Sequence, residues 1–369
     1  IKFLPETENV FLEFKKFKTS FDKNKGTTFF IETHDDKLIL ASKSGEFFIA
    51  DIRDLKTGSL KKINQKIKTN RTNKKQNISI NDILIIKKEI FVLQVTKNDE
   101  CNKLEIYSSK IDIDLNFRIF KSFDECVGPN LVAGGMEEYF HKNKKGIIIS
   151  TANAESNALQ SKAQSNNSIM GKILFIANKS KEIEMISKGH RNPQGLAVKD
   201  DLILSTEHGP RGGDEINKII FGKNYGWPIA SYGQPYKSEN NVEFLSSHYD
   251  HGFQEPVYVF LSSIGISELI FLPDSFFKGW KNNVLVTSLN GRSIYRINFK
   301  DINFDDVFYM EKIFIGERIR DIKYNENTKT ILLALEDSGI VGILYEKNWN
   351  LILILIREGR SVSPYNLNT

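Results

Sequence analysis

"NVLVTSLNGRSIYRINF", Asn283 to Phe299, sets two short apolar runs on either side of a polar, glycine-containing turn, and its first run ends in Thr287 and Ser288. Runs this short, rich in β-branched and aromatic residues and bounded by turn formers, favour strands over helix. The same pattern recurs along the chain. It returns as "KLILASKSGEFFIADI" from Lys37, "IFVLQVTKNDECNKLEIYSS" from Ile90, and "GIIISTANA" from Gly146 with its partner "GKILFIA" from Gly171. Two further copies are "DLILSTEHGPRGGDEINKII" from Asp201 and "TILLALEDSGIVGILY" from Thr330. Six units at spacings of about 50 residues, with one gap near 80, fit a β-propeller of four-stranded blades around a central channel.

The expected architecture is therefore all-β, a six-bladed propeller forming a single domain over residues 1–369. A large sandwich or two β domains are the alternatives. The innermost strand of each blade would be "TTFFIET", "NDILIIK", "GGMEEYF", "PQGLAVK", "SELIFLP" and "RDIKYNE", beginning near Thr27, Asn81, Gly135, Gln194, Ser267 and Arg320. Either the N-terminal "NVFLEFKKF" or the C-terminal "LILILI", Leu351 to Ile356, would complete the last blade.

Composition narrows the function classes. With 369 residues and 40% hydrophobic content the chain can bury a substantial core. Its net charge of +5 is too small for this length to imply nucleic acid or an anionic membrane as partner. The basic stretch Lys61 to Lys75 has no aromatics for base stacking, so a solvated loop is expected there. No run approaches the roughly 18 apolar residues of a membrane span. Two cysteines exclude a disulfide scaffold and a four-cysteine zinc site. Cys101 and Cys126 flank an apparent hairpin whose ends would meet, so they form a disulfide in an oxidising compartment or stay as two buried thiols.

If the inner strands start at one mouth of the channel, the residues just before them converge. Blade four brings Arg191, Asn192 and Gln194, blade five Ser262 and Ser263, and blade six Arg318 and Arg320. Guanidinium forks suit carboxylates, and amides orient a planar polar ligand. An arginine alone would serve equally in a surface ion pair; three at equivalent blade positions point to a pocket for an anion bearing several carboxylates or phosphates. "EHGPRGGDE", Glu207 to Glu215, lies on the same face. Its Gly-Pro turn either exposes carbonyl oxygens of the kind Ca²⁺ prefers or is simply a long turn. His208 is a candidate proton acceptor or a structural, hydrogen-bonded histidine.

"GHRNPQGLA", "EHGPRGGDEIN", "GKNYGWP", "GWKNNVLVTSLNGRSIYRI" and "GERIRDI" closely resemble the soluble aldose sugar dehydrogenases that depend on pyrroloquinoline quinone (PQQ), the glucose/sorbosone dehydrogenase family. The resemblance runs from about Gly171 to Tyr345. It implies a six-bladed propeller in which Arg191, Asn192 and Gln194 face the quinone, Arg318 and Arg320 bind its carboxylates, and Ser263 supplies a polar contact. It further implies that the carbonyls of Gly209 and Pro210 hold a Ca²⁺ that chelates PQQ, with a small-molecule sugar and an external electron acceptor as partners. A second copy of the chain is a further expected partner, and the expected location is periplasmic or secreted.

The sequence departs from the family where the chemistry would sit. A pattern like His-x-x-Gly-Arg-Leu normally supplies the base; here "NLVAGGMEEY" puts Val132 at the histidine position and Met136 at that of the arginine. Glu137, Glu138 and His208 are the candidate replacements. Asn290 stands where some members carry a cofactor-contacting lysine. A propeller that has lost its chemistry and acts as a binding or interaction module is thus the alternative to a dehydrogenase.

Overall fold

A computed structural model of the chain describes residues 7, 12–21, 28–57, 63, 65–70, 78–97, 100–128, 134–157, 161–237, 242–273, 276, 280 and 282–346. Its strands form six sheets, one per blade. The inner strands are Phe29–His34, Ile78–Ile86, Met136–His141, Pro193–Lys199, Ile266–Phe271 and Ile319–Asn325. Each touches the next in this order and the sixth returns to the first, which closes a six-bladed propeller. The expected starts fall within three residues of those observed; Thr27 lies outside the described residues.

The N-terminal segment closes the ring. Leu12–Lys18 pairs antiparallel with Ile340–Glu346, Leu12 opposite Glu346 and Lys18 opposite Ile340, as the outer strand of blade six. The alternative closing strand, Leu351 to Ile356, lies outside the described residues. One expectation is corrected: within Lys61 to Lys75, residues Gln65–Thr69 form the fourth strand of blade one, pairing with Phe47–Ile49. Ile67 is buried there, and Lys66 ion-pairs with Glu46. Alternating Ile67 with lysines gives an outer strand one apolar face, a signal hidden by the overall charge of the stretch.

Small polar residues at the ends of the second strands have a common task. The inner strands of blades two, four, five and six shift register against their neighbours near their first residues. A bulge leaves a backbone N–H without its ladder partner. Thr206 and Thr287 accept such N–H groups from Gly195 and Glu268, at 2.9 and 3.1 Å, and Ser150 at the same place in blade three, where the register is unbroken, accepts from Gly135 at 3.0 Å. In blades two and six an aspartate does more. Asp82 accepts from Ile83 and from Met136 of blade three, and Asp321 accepts from Ile322 and from Ile31 of blade one, all at 2.7–2.8 Å. The two carboxylates therefore clasp successive blades in the same way.

Between blades the faces are apolar. Leu93, Ile106, Ile147, Ile149 and Leu174, for example, form one buried cluster between blades two and three. Close approach of the inner strands also requires glycine: a Cβ on Gly195 would lie 2.9 Å from the Glu268 Cα. Cys101 and Cys126 form a disulfide, Cα to Cα 5.2 Å, at the end of the blade-two hairpin. Among the described residues no helix is long and apolar enough to cross a membrane.

Candidate active site

The turn before the blade-four inner strand is built around Glu207. Its Oε1 accepts the backbone N–H groups of Arg191 and Asn192, and its Oε2 accepts from His190 Nδ1 at 2.9 Å. His190 is fully buried, stacks on Tyr225 with ring centroids 4.6 Å apart, and contacts Ser187 Oγ at 2.8 Å through Nε2. His190 and Glu207 thus serve as fasteners that aim Arg191 and Asn192 at the mouth.

The residues expected at the mouth come together. Arg191, 8% exposed, donates to the carbonyl of His208 at 3.0 Å, and its guanidinium lies 5.3 Å from the Trp227 ring centre. Gln194 donates to Asn192 Oδ1 at 3.1 Å and accepts from Arg320 Nη1 at 3.3 Å. Arg320 and Arg318 both pair with Glu336, through Arg320 Nη2 at 2.9 Å and Arg318 Nε at 3.2 Å. Glu336 holds only the Nε edge of Arg318; among the described residues its two terminal nitrogens have no protein acceptor.

His208 sits within this cationic group. Burial lowers its pKa first, Asp214 pulls it up, and Arg191, Arg320 and Arg318 push it down again, leaving it at about 4. The burial and cations that keep the imidazole neutral near pH 7 also oppose its protonation, and Asp214 is the group that favours it. Its Nδ1 lies 3.9 Å from Asp214 Oδ1. Fully buried Asp214 organises the rim, accepting from the backbone N–H groups of Gly209, Ile264 and Ile266 and from Ser263 Oγ. Ser263 is thus at the rim with its hydroxyl proton directed to Asp214.

Gly209 and Pro210 form the tight turn beside His208. A Cβ on Gly209 would lie 2.1 Å from Gly212 O, and the Pro210 carbonyl accepts Tyr236 OH at 2.8 Å. A carbonyl oxygen has a second lone pair, so the Pro210 oxygen can still serve a cation. No group of three or more His, Cys, Asp or Glu side chains among the described residues could hold a metal, so a cation here would depend on backbone oxygens.

The other candidate bases lie elsewhere. Glu137 lines the channel, in a cluster with Glu32, Asp82, Glu268 and Asp321 around Lys323. Burial raises its pKa to about 7, opposed by Lys323 and reinforced by Glu32 and Asp321. Glu138 is exposed on the opposite strand face. Val132 lies outside the described residues.

Sequence reading missed Asp214, Glu336 and Lys43 as mouth residues. A signal existed: Lys43, His208 and Glu336 each directly follow the last residue of a second strand, Ser42, Glu207 and Leu335. Aligned units therefore put all three at one place in the blade.

The donor set suits a small polyanion: three guanidinium groups, one with its fork open, beside the amides of Asn192 and Gln194. A six-bladed propeller with a cationic, amide-lined mouth defines the class. The sequence profile of the Glucose / Sorbosone dehydrogenase family matches residues 119–344, more than half of the chain, and the protein belongs to that family. The aldose sugar dehydrogenase YliI of Escherichia coli K12 is 32% identical over 169 residues, 45% of this chain and 44% of its own length. The aligned region thus spans less than half of that relative.

Among solved structures, the soluble aldose sugar dehydrogenase of Escherichia coli in its apo-form superposes with a TM-score of 0.71 at 19% identity, covering 91% of this chain and all of its own. The PQQ-bound aldose sugar dehydrogenase of Streptomyces coelicolor gives 0.64 at 18%, covering 93% of this chain and all of its own. At these identities the likeness shows the fold.

Proposed function

We propose that the protein is a PQQ-dependent dehydrogenase that oxidises an aldose at its anomeric carbon to the lactone and passes the electrons to an external acceptor. The observation that carries this reading is the convergence of Arg191, Arg318, Arg320, Asn192 and Gln194 around a neutral His208. When bound, the quinone would supply the hydride-accepting carbonyl. The chain supplies the rest. Arg318 and Arg320 anchor carboxylates, Asn192 and Gln194 set the ring plane, and Ser263 borders it. The Gly209 and Pro210 carbonyls would hold Ca²⁺, whose charge polarises a carbonyl as a Lewis acid.

His208 takes the proton of the anomeric hydroxyl in this scheme, in place of the histidine that Val132 replaces. Neutral imidazole is the form required, and the surrounding arginines favour it. The relative's name supports sugar oxidation, and the Cys101–Cys126 disulfide favours an oxidising, extracytoplasmic compartment. Val132 favours a second reading, a propeller that binds an anion without turnover.

Titration of the purified protein with PQQ and Ca²⁺, followed by absorbance before and after adding aldoses, tests both readings. Binding followed by bleaching of the quinone supports the dehydrogenase. Binding without bleaching supports the second reading, and no binding overturns the first.

A further inference from the structure

Lys43 follows the last residue of the blade-one second strand, the place that His208 holds in blade four and Glu336 in blade six. Its backbone is fixed: Lys43 N–H donates to Thr28 O at 3.0 Å, and its carbonyl accepts from Ile80 N–H of blade two at 2.9 Å. The side chain is exposed, and partial loss of water around the ammonium lowers its pKa. Arg320 and Lys97 lower it further, and Glu336 alone opposes them.

Glu336 is already engaged by Arg318, Arg320 and Thr28 Oγ1. Among the described residues the Lys43 ammonium has no hydrogen-bond or ion-pair partner. The like charges of Arg320 and Lys97 oppose the Lys43 ammonium, and an anion at the mouth would offset them. The cost is justified if that anion is the ligand.

We propose that Lys43 is a fourth basic anchor of the mouth and binds a carboxylate of the ligand from the side opposite blade four. The identity of the ligand rests on the dehydrogenase reading; the site itself rests on the geometry. The carboxylate has two sources, the quinone cofactor or an acidic sugar such as glucuronate. As a compact point charge on a flexible stem, lysine accommodates either.

Equilibrium titrations of the full chain decide the matter, using citrate as a simple tricarboxylate, then PQQ, then glucuronate and glucose on PQQ-loaded protein. Lys43→Met should weaken binding of a carboxylate ligand about 5- to 30-fold and flatten its salt dependence, and Lys43→Arg should restore it. Lys144→Met, at the far turn of blade three, serves as control; its ion pair with Glu182 lies at the other end of the blade. A loss seen with citrate and PQQ assigns the carboxylate to the cofactor. A loss confined to glucuronate, with glucose unchanged, assigns it to the sugar.

Unchanged affinity for citrate, PQQ and glucuronate in a folded Lys43→Met variant overturns the proposal. Should wild-type protein bind citrate but no PQQ, the dehydrogenase reading fails and the citrate comparison alone judges Lys43. Wild-type protein that binds neither overturns both.

Discussion

Gln194 Oε1 accepts a hydrogen bond from Arg320 Nη1 at 3.3 Å, joining blade four to blade six across 126 positions of sequence. This contact makes one site from two separate motifs. It also leaves the Gln194 amide nitrogen to orient Asn192, so the blade-four amides and the blade-six guanidinium form one continuous edge.

Arg320→Met should therefore weaken PQQ binding by about 10- to 150-fold, the range expected when a hydrogen bond to a charged group is lost. Glu336 would be left with Arg318 as its remaining guanidinium partner, so some destabilisation is expected as well. Calorimetric titration and thermal unfolding of the same sample separate the two effects. Unchanged affinity in a folded variant would show that blade six does not bind the ligand.

The disulfide closes a hairpin with 25 residues of separation. In the chain-entropy account, removing such a cross-link costs about 2–4 kcal/mol. Urea unfolding of a Cys101→Ser, Cys126→Ser double variant should show that loss, and reductant should lower the wild type to the same midpoint. A midpoint unmoved by both treatments would contradict this.

Much of the fold was legible because the unit repeats: the strand ends at Ser150, Thr206 and Thr287 repeat because each accepts a backbone N–H at the start of its blade's inner strand. Gly195, Asp82 and Asp321 sit at inner-strand bulges of their own blades, but the sequence does not say which N–H groups the two carboxylates reach. The site was legible on one side. Arginines and amides before the inner strands announce an anion, whereas Lys43 and Glu336 sit in ordinary-looking turns whose meaning depends on blade register. Glu137 is ambiguous in sequence for a similar reason. Strand alternation gives it the channel but not its neighbours, and Lys323 with its ring of carboxylates comes from other blades.

That ring makes stability depend on pH. Glu137 has a folded pKa raised from 4.5 to about 7, so the folded state binds more protons than the unfolded state between those values. Its contribution to stability falls as pH rises through this window and stays low above it. Asp321, raised from 3.8 to about 6, acts in the same direction. Glu137→Gln should be more stable than wild type at pH 8 by about 1–3 kcal/mol and indistinguishable near pH 4.5. Denaturant midpoints across pH 4.5 to 8 are the measurement, and a difference that grows toward acid would have the wrong sign. Lys323→Met should act oppositely at pH 8, because it removes the central cation of the cluster.

His208 tests the chemistry separately from binding. Its imidazole lies among Arg191, Arg318 and Arg320 and beside Asp214, whereas Glu137 belongs to the carboxylate cluster around Lys323 and Glu138 is exposed on the other face of that strand. A general base contributes typically 10²–10⁴-fold in rate and little to ground-state binding. His208→Gln keeps a polar side chain of similar reach but cannot take up a proton at neutral pH. It should lower kcat with an aldose by about 10²–10⁴-fold while leaving PQQ affinity within a few-fold, a pattern expected of a group acting only in the transition state. Glu137→Gln, measured alongside, should retain the wild-type rate. Equal losses in kcat and in PQQ affinity would assign His208 to cofactor placement instead. A full rate in His208→Gln with a fall in Glu137→Gln would move the base into the channel.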